Sequence, residues 1–149
     1  MTHEPEQHNG ARVADYGEGH PFTGATIISS YSRVQAIDDG TLVECTLQAR
    51  HLGFVLPLCI TSAAWETFVA PGLRDLPEHE AGERAEARLR LLLTAVHTRI
   101  RQMANTRNDR VFLEHSKPGE TPQRVKLWCH CGPGDDAEPV LTVMLEGED

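Results

Sequence analysis

The stretch QRVKLWCHCGPGDDAEPVLTVML, residues 123–145, decides how this chain folds. Its first part alternates: Val125, Leu127, Cys129 and Cys131 fall on one side of an extended strand, and Lys126, Trp128 and His130 on the other. Residues 140–145 are apolar in both phases, the pattern of a central strand covered on both faces. Between them stand Gly132, Pro133, Gly134, Asp135 and Asp136, which reverse the chain by positive φ, by a fixed φ or by bonding their own backbone. Two strands joined by so short a turn pair antiparallel.

A sheet with an apolar face needs helices to cover it, and the preceding sequence supplies them. Over residues 83–105, Ala85, Leu89, Leu92, Leu93, Val96, Ile100 and Met103 recur at steps of three and four, one stripe on a long amphipathic helix. Earlier, Ser32 and Gln35 have capping-box spacing and Gly40 stands where a left-handed residue ends a helix. Thr46 is expected to cap a short helix that Gly53 terminates, with Phe54 making the accompanying apolar contact. Thr61 caps another over residues 62–70, with Trp65, Phe68 and Val69 inward, before Pro71 and Gly72 stop it. Residues 24–31, 41–45, 54–60 and 111–114 read as extended, and residues 73–83 as a surface loop. The predicted class is α+β: a mainly antiparallel sheet with helices packed against it, one of them long and amphipathic.

At 149 residues the chain is sized for one domain. Residues 1–22, rich in His, Glu and Gly and poor in apolar side chains, read as a flexible arm, and residues 23–149 as a single α+β domain. His3, His8 and His20 in the arm match no metal-ligand spacing. No run of about 18 apolar residues appears, nor a basic stretch leading into an apolar one, so the expected location is cytoplasmic, without a membrane partner. Cys45, Cys59, Cys129 and Cys131 lie inside apolar segments, as buried thiols of a reducing compartment do.

The net charge of −8 is unevenly spread, with +5 over residues 84–110 against −6 over residues 134–149. An acidic surface repels phosphate and attracts basic proteins. Asp38, Asp39, Asp135, Asp136 and Glu138 are the candidate partner-binding residues, facing a basic host protein or nucleoprotein complex. The competing site is the long helix, where Arg84, Arg88, Arg90, Arg99 and Arg101 carry enough charge to neutralise several phosphates. At 100° per residue, Arg84, Arg88 and Arg99 fall on one flank of the apolar stripe and Arg90 and Arg101 on the other. They straddle the core edge with no aromatic residue among them, so direct nucleic-acid binding there is the weaker reading.

Reactive motifs are scarce. Cys129-His130-Cys131 brings zinc-binding residue types together, but in a strand the imidazole points away from the two thiols and no second ligand pair follows. Only convergence of Cys45 or Cys59 would complete a set. Gly132-Pro133-Gly134 lacks the lysine and helix start of a phosphate loop. No nucleophile elbow occurs. The sequence therefore assigns no catalytic residue, metal or cofactor.

Two stretches also carry a resemblance. Residues 31–43, Tyr-Ser-Arg-x-Gln-Ala-Ile-x-Asp-Gly-x-Leu-Val, and residues 132–149, which run from Gly-Pro-Gly-Asp-Asp to Gly-Glu-Asp, resemble the opening and ending of an uncharacterised bacterial and phage family. Gly53-Phe54, Pro57, Thr61 and Trp65 fit the same pattern, so the likeness spans residues 25–149. It implies a setting on phages, plasmids and related mobile elements. With the acidic charge, it points to a non-enzymatic interaction protein, in concrete form an anti-CRISPR-like inhibitor of host defence or another nucleic-acid mimic. A fainter similarity, the Tyr31 strand with its helix and the Gly40-x-Leu42 return, is to the start of ADP-ribosyltransferase-like domains. It keeps a small enzyme as an alternative, beside a nucleic-acid accessory protein using the arginine-rich helix.

Overall fold

The computed structural model describes residues 32–103 and 109–148, together with the backbone of residues 12–13 and 26–27. Strand β1 (Arg12–Val13) pairs antiparallel with β2 (Thr26–Ile27). The remainder of the predicted arm and of the predicted strand over residues 24–31 lies outside the described residues.

The main sheet has five strands, β3 (Leu42–Glu44), β4 (Leu58–Thr61), β5 (Arg110–Lys117), β6 (Gln123–Pro133) and β7 (Pro139–Leu145), in the order β3-β4-β7-β6-β5. Every pairing is antiparallel except β4 with β7. The class is α+β with a mainly antiparallel sheet, as the sequence indicates. The doubly apolar strand β7 sits in the middle, with Val140, Leu141, Val143 and Met144 all buried. The parallel contact was not foreseen, because it joins Leu58 to Leu141 across more than half the chain and leaves no local signal.

Helices α2 (Thr46–His51), α3 (Ser62–Phe68) and α4 (Glu78–Gln102) cover one face. Leu89, Leu92, Leu93 and Val96 of α4 interlock with Ala64 and Phe68 of α3, Ala49 of α2, and Ile60, Leu127, Cys129, Leu141 and Val143 of the sheet. Each large side chain there contributes about 1.5–3 kcal/mol by leaving water. Ala85 and Ile100 flank the cluster, so the predicted stripe is the buried one.

Helix α1 (Arg33–Asp39) is built as its sequence specifies. Ser32 Oγ accepts from Gln35 N, the Gln35 side chain accepts from Ser32 N at 2.9 Å, and Gly40 takes φ 84° at the end. The end of α2 also matches: Gly53 has φ 103°, and Phe54 is buried against the core while its N–H donates to the Ala49 carbonyl.

Four details differ from the expectation. Thr46 is the first residue of α2 and not its cap; its hydroxyl bonds Glu44 and accepts from Leu58 N, tying helix to sheet. Helix α3 ends at Phe68, with Val69 as its cap. Trp65 is only partly buried at the core edge. Residues 73–83 are not one loop: Leu73–Asp75 form a 3₁₀ turn, and α4 starts at Glu78. Pro77, whose ring fixes φ and which lacks an N–H, stands at the N-cap, and Glu78 and Glu80 complement the positive end of the helix.

Candidate functional site

The first of the two stretches that carry the family resemblance folds directly onto the second. Asp135 of the β6–β7 turn accepts from Arg33 N at 2.8 Å and from Val34 N at 3.1 Å, placing a carboxylate on the first turn of α1. The Arg33 guanidinium donates to Thr142 Oγ1 at 3.2 Å and to the Leu141 carbonyl at 3.0 Å. Thr142 points opposite to Leu141 and Val143, so α1 is clamped to the face of the sheet that the other helices leave open. Sequence reasoning placed Asp135 as a surface acid; its use as a clamp was invisible because its partners lie about a hundred residues away.

The five candidate acids are all exposed and lie at the two ends of this one short helix. Asp135, Asp136 and Glu138 stand at its N-terminus. Asp38 and Asp39 occupy its last turn, roughly 10 Å away at 1.5 Å per residue. Two of the turn acids also hold structure. Glu138 folds over the turn, where its Oε1 accepts from Asp136 N at 2.9 Å, and the space beside Gly134 is taken by its carboxylate. Asp38 and Asp39 put two carboxylates in the last turn of the helix, where α1 itself has no basic residue.

The arginines of α4 are spread as the helical wheel indicates. Arg84 pairs with Glu80 at 3.0 Å on the helix surface. Arg88 donates to the carbonyls of Val69 and Pro71 at 2.8 and 2.6 Å, closing the end of α3, and burial followed by the neighbouring Arg84 lowers its pKa. Arg99 donates to the Phe112 carbonyl at 2.9 Å and so holds α4 to the edge strand β5. Arg90 borders a small cleft with His51 and Glu86 on the other flank, and Arg101 is exposed. Three of the five, Arg84, Arg88 and Arg99, thus have bonding partners within the fold.

Residues 19–149 match a family of unknown function, DUF6573. The chain belongs to that family. No curated protein and no solved structure matches it. As a DUF6573 member it is a protein of an uncharacterised family, as the resemblance implies, and the match extends a few residues further towards the N-terminus than the quoted motifs did.

In this DUF6573 chain Cys45, Cys59 and Cys129 are held protonated. Burial, then the neighbouring Cys59, then Glu44, push Cys45 up to about 12. Burial raises Cys59 to about 11, and burial followed by Cys131 raises Cys129 to about 12. A thiol so shifted is a poor nucleophile at neutral pH. Cys59 and Cys129 also sit in opposite phases of the sheet, Cys129 towards the helices and Cys59 away from them. Among the described residues no group of three or more His, Cys, Asp or Glu could hold a metal. Cys129 and Cys131 instead line an apolar cavity of about 380 Å³ with Phe54, Val55, His97 and Ile100. Among the described residues no helix is long and apolar enough to cross a membrane.

Proposed function

We propose that the protein is a non-enzymatic interaction module that presents the acidic rim around α1 to a basic partner. The observation that carries this reading is the gathering of Asp38, Asp39, Asp135, Asp136 and Glu138, all exposed, at the two ends of one helix clamped to the sheet. A rigid array of carboxylates costs little ordering entropy on binding and offers a basic surface a fixed pattern of charge. Its natural partners are proteins whose own ligand is nucleic acid, alone or within a nucleoprotein complex. Inhibition of a host defence system by such mimicry is the concrete form, and it rests on the resemblance to mobile-element proteins. The same chemistry fits any partner with a basic groove.

The test compares the wild-type chain with a variant carrying Asp38→Lys, Asp39→Lys and Asp136→Lys, which leaves the clamping Asp135 and Glu138 in place. Both are immobilised and exposed to bacterial lysate at low and high salt. The wild type retains basic proteins at low salt and releases them as the Debye length shrinks, and the variant retains none of them. Retention that ignores salt, or that is equal for the two chains, refutes the reading.

A further inference from the structure

The face of the sheet opposite α2, α3 and α4 carries a second surface, of different chemistry. Register sets Phe112 of β5 directly across from Trp128 of β6, with Arg110 across from His130 on one side and Glu114 across from Lys126 on the other. All six are in the phase opposite to the buried Leu127 and Cys129. The rings of Phe112 and Trp128 lie 4.9 Å apart at 51°, and the Arg110 guanidinium sits 4.2 Å over the indole. Phe112 is 49% exposed, and the Trp128 indole N–H is covered and has no hydrogen-bond partner among the described residues. Buried donors are normally satisfied, and phenyl rings are normally buried.

Paired aromatic rings on adjacent antiparallel strands, bordered by cations, form the surface on which unstacked bases lie while the backbone phosphates meet the charges. We propose that this face of β5 and β6 is a stacking platform for single-stranded nucleic acid. Phe112 takes a base beside Trp128, whose indole carries the Arg110 guanidinium, and Lys126 takes a phosphate. Arg124 contributes less, since it is 3.6 Å from the Glu114 carboxylate. A duplex is excluded because its bases are not free to stack. The acidic rim does not forbid this: β6 continues five residues from Trp128 to Pro133, about 17 Å, before the acidic turn begins, twice the ~8 Å Debye length at physiological salt. The platform and the rim are separate surfaces, and neither proposal depends on the other.

The experiment measures fluorescence anisotropy of short labelled oligo(dT) and oligo(U), with a duplex as the third arm, across a salt series. The wild type binds one or both single strands and prefers them to the duplex, with a log–log salt slope of about −0.7, as one neutralised phosphate gives. Phe112→Leu keeps apolar bulk on the half-exposed site, so the fold survives; it weakens binding about fivefold or more without changing the slope. Lys126→Glu flattens the slope. Reversing Asp38, Asp39 and Asp136 to lysine leaves the preference for single strands intact. No binding to either single strand, equal affinity for the duplex, or indifference to Phe112→Leu in a chain of unchanged melting temperature overturns the proposal. If Phe112→Leu fails to fold, quenching of Trp128 emission by oligo(dT) in the Trp65→Phe background decides instead: quenching supports stacking, and its absence overturns it.

Discussion

Removing the Asp135 carboxylate is the sharpest test of how the two ends of the chain are joined. In Asp135→Ala the N–H groups of Arg33 and Val34 lose acceptors at 2.8 and 3.1 Å, and α1 loses the negative charge beside its N-terminus. Hydrogen bonds to a charged acceptor contribute about 1.5–3 kcal/mol when sheltered, and replacing a capping side chain by alanine costs about 0.5–2 kcal/mol. The site is exposed, so water takes over part of the bonding, and Ser32 still serves Gln35 N through the capping box. The expected loss is therefore about 1–2 kcal/mol. For a chain of this size that lowers the melting temperature by about 2–8 °C. Asp136→Ala removes an equal charge one residue away without touching α1, and it moves stability by less than about 0.5 kcal/mol. Asp135→Asn, which keeps one acceptor oxygen, falls between them. Thermal unfolding by circular dichroism, backed by urea titration, measures all three. Equal effects of Asp135→Ala and Asp136→Ala would mean that the clamp contributes nothing beyond net charge, and the account of α1 would fail.

Other consequences follow from the core and its titrating groups. Leu93→Ala opens a cavity at a fully buried position and costs about 2–5 kcal/mol in urea unfolding, whereas Leu91→Ala, at a site 65% exposed on the same helix, costs less than about 1 kcal/mol. The thiols of Cys45 and Cys129 titrate higher folded than unfolded, so the folded chain keeps protons that the unfolded chain releases. Their contribution is complete below about pH 9 and declines towards pH 12, by roughly 1.4 kcal/mol per pH unit for each group, and urea unfolding from pH 8 to 10 records the fall. His115 packs against Phe68, with ring centroids 5.5 Å apart, and burial followed by Arg124 lowers its pKa. It therefore titrates below 6.5 by NMR, and the stability it supplies is present above that pH and lost as acid protonates it. Gly53→Ala forces a non-glycine residue to φ 103° and brings its Cβ to 3.2 Å from the His97 ring, costing about 1 kcal/mol or more.

Where the sequence was readable, the cause of structure was local. Ser32, Gln35 and Gly40 specify α1 within nine residues, and the alternation of Val125, Leu127 and Cys129 sets which face of β6 meets the helices. Where it misled, a local signal had two readings. Gly82 and the mixed charges of residues 73–83 resemble a loop, yet Pro77 and two early glutamates can equally begin a helix that later packing sustains. Thr46 has a capping side chain, but Glu44 and Leu58 compete for its hydroxyl. The candidate acids were legible as charge and not as geometry. Only folding shows that Asp135 holds the helix whose far end carries Asp38 and Asp39.

Phe112 and Trp128 illustrate the same division from the opposite side. Alternation alone puts Trp128 with Lys126 and His130 on the outer phase of β6. The register that sets Phe112 across from it depends on how the short connection of residues 118–122 closes the hairpin, and a shift of one residue would send Phe112 to the core. The register is held further by burial of Leu127 and Cys129, with Leu113 packed beside them, and by the Arg99 bond to the edge of β5. The long helix that reads as a nucleic-acid candidate thus acts on the sheet: its apolar stripe and Arg99 hold β5 where an aromatic pair forms on the far face. Arg99→Ala should accordingly loosen β5 and disturb the pairing of Phe112 with Trp128 without removing any group from that face. A change in Trp128 emission in the Trp65→Phe background, with α4 helicity retained, would show that coupling, and unchanged emission would disprove it.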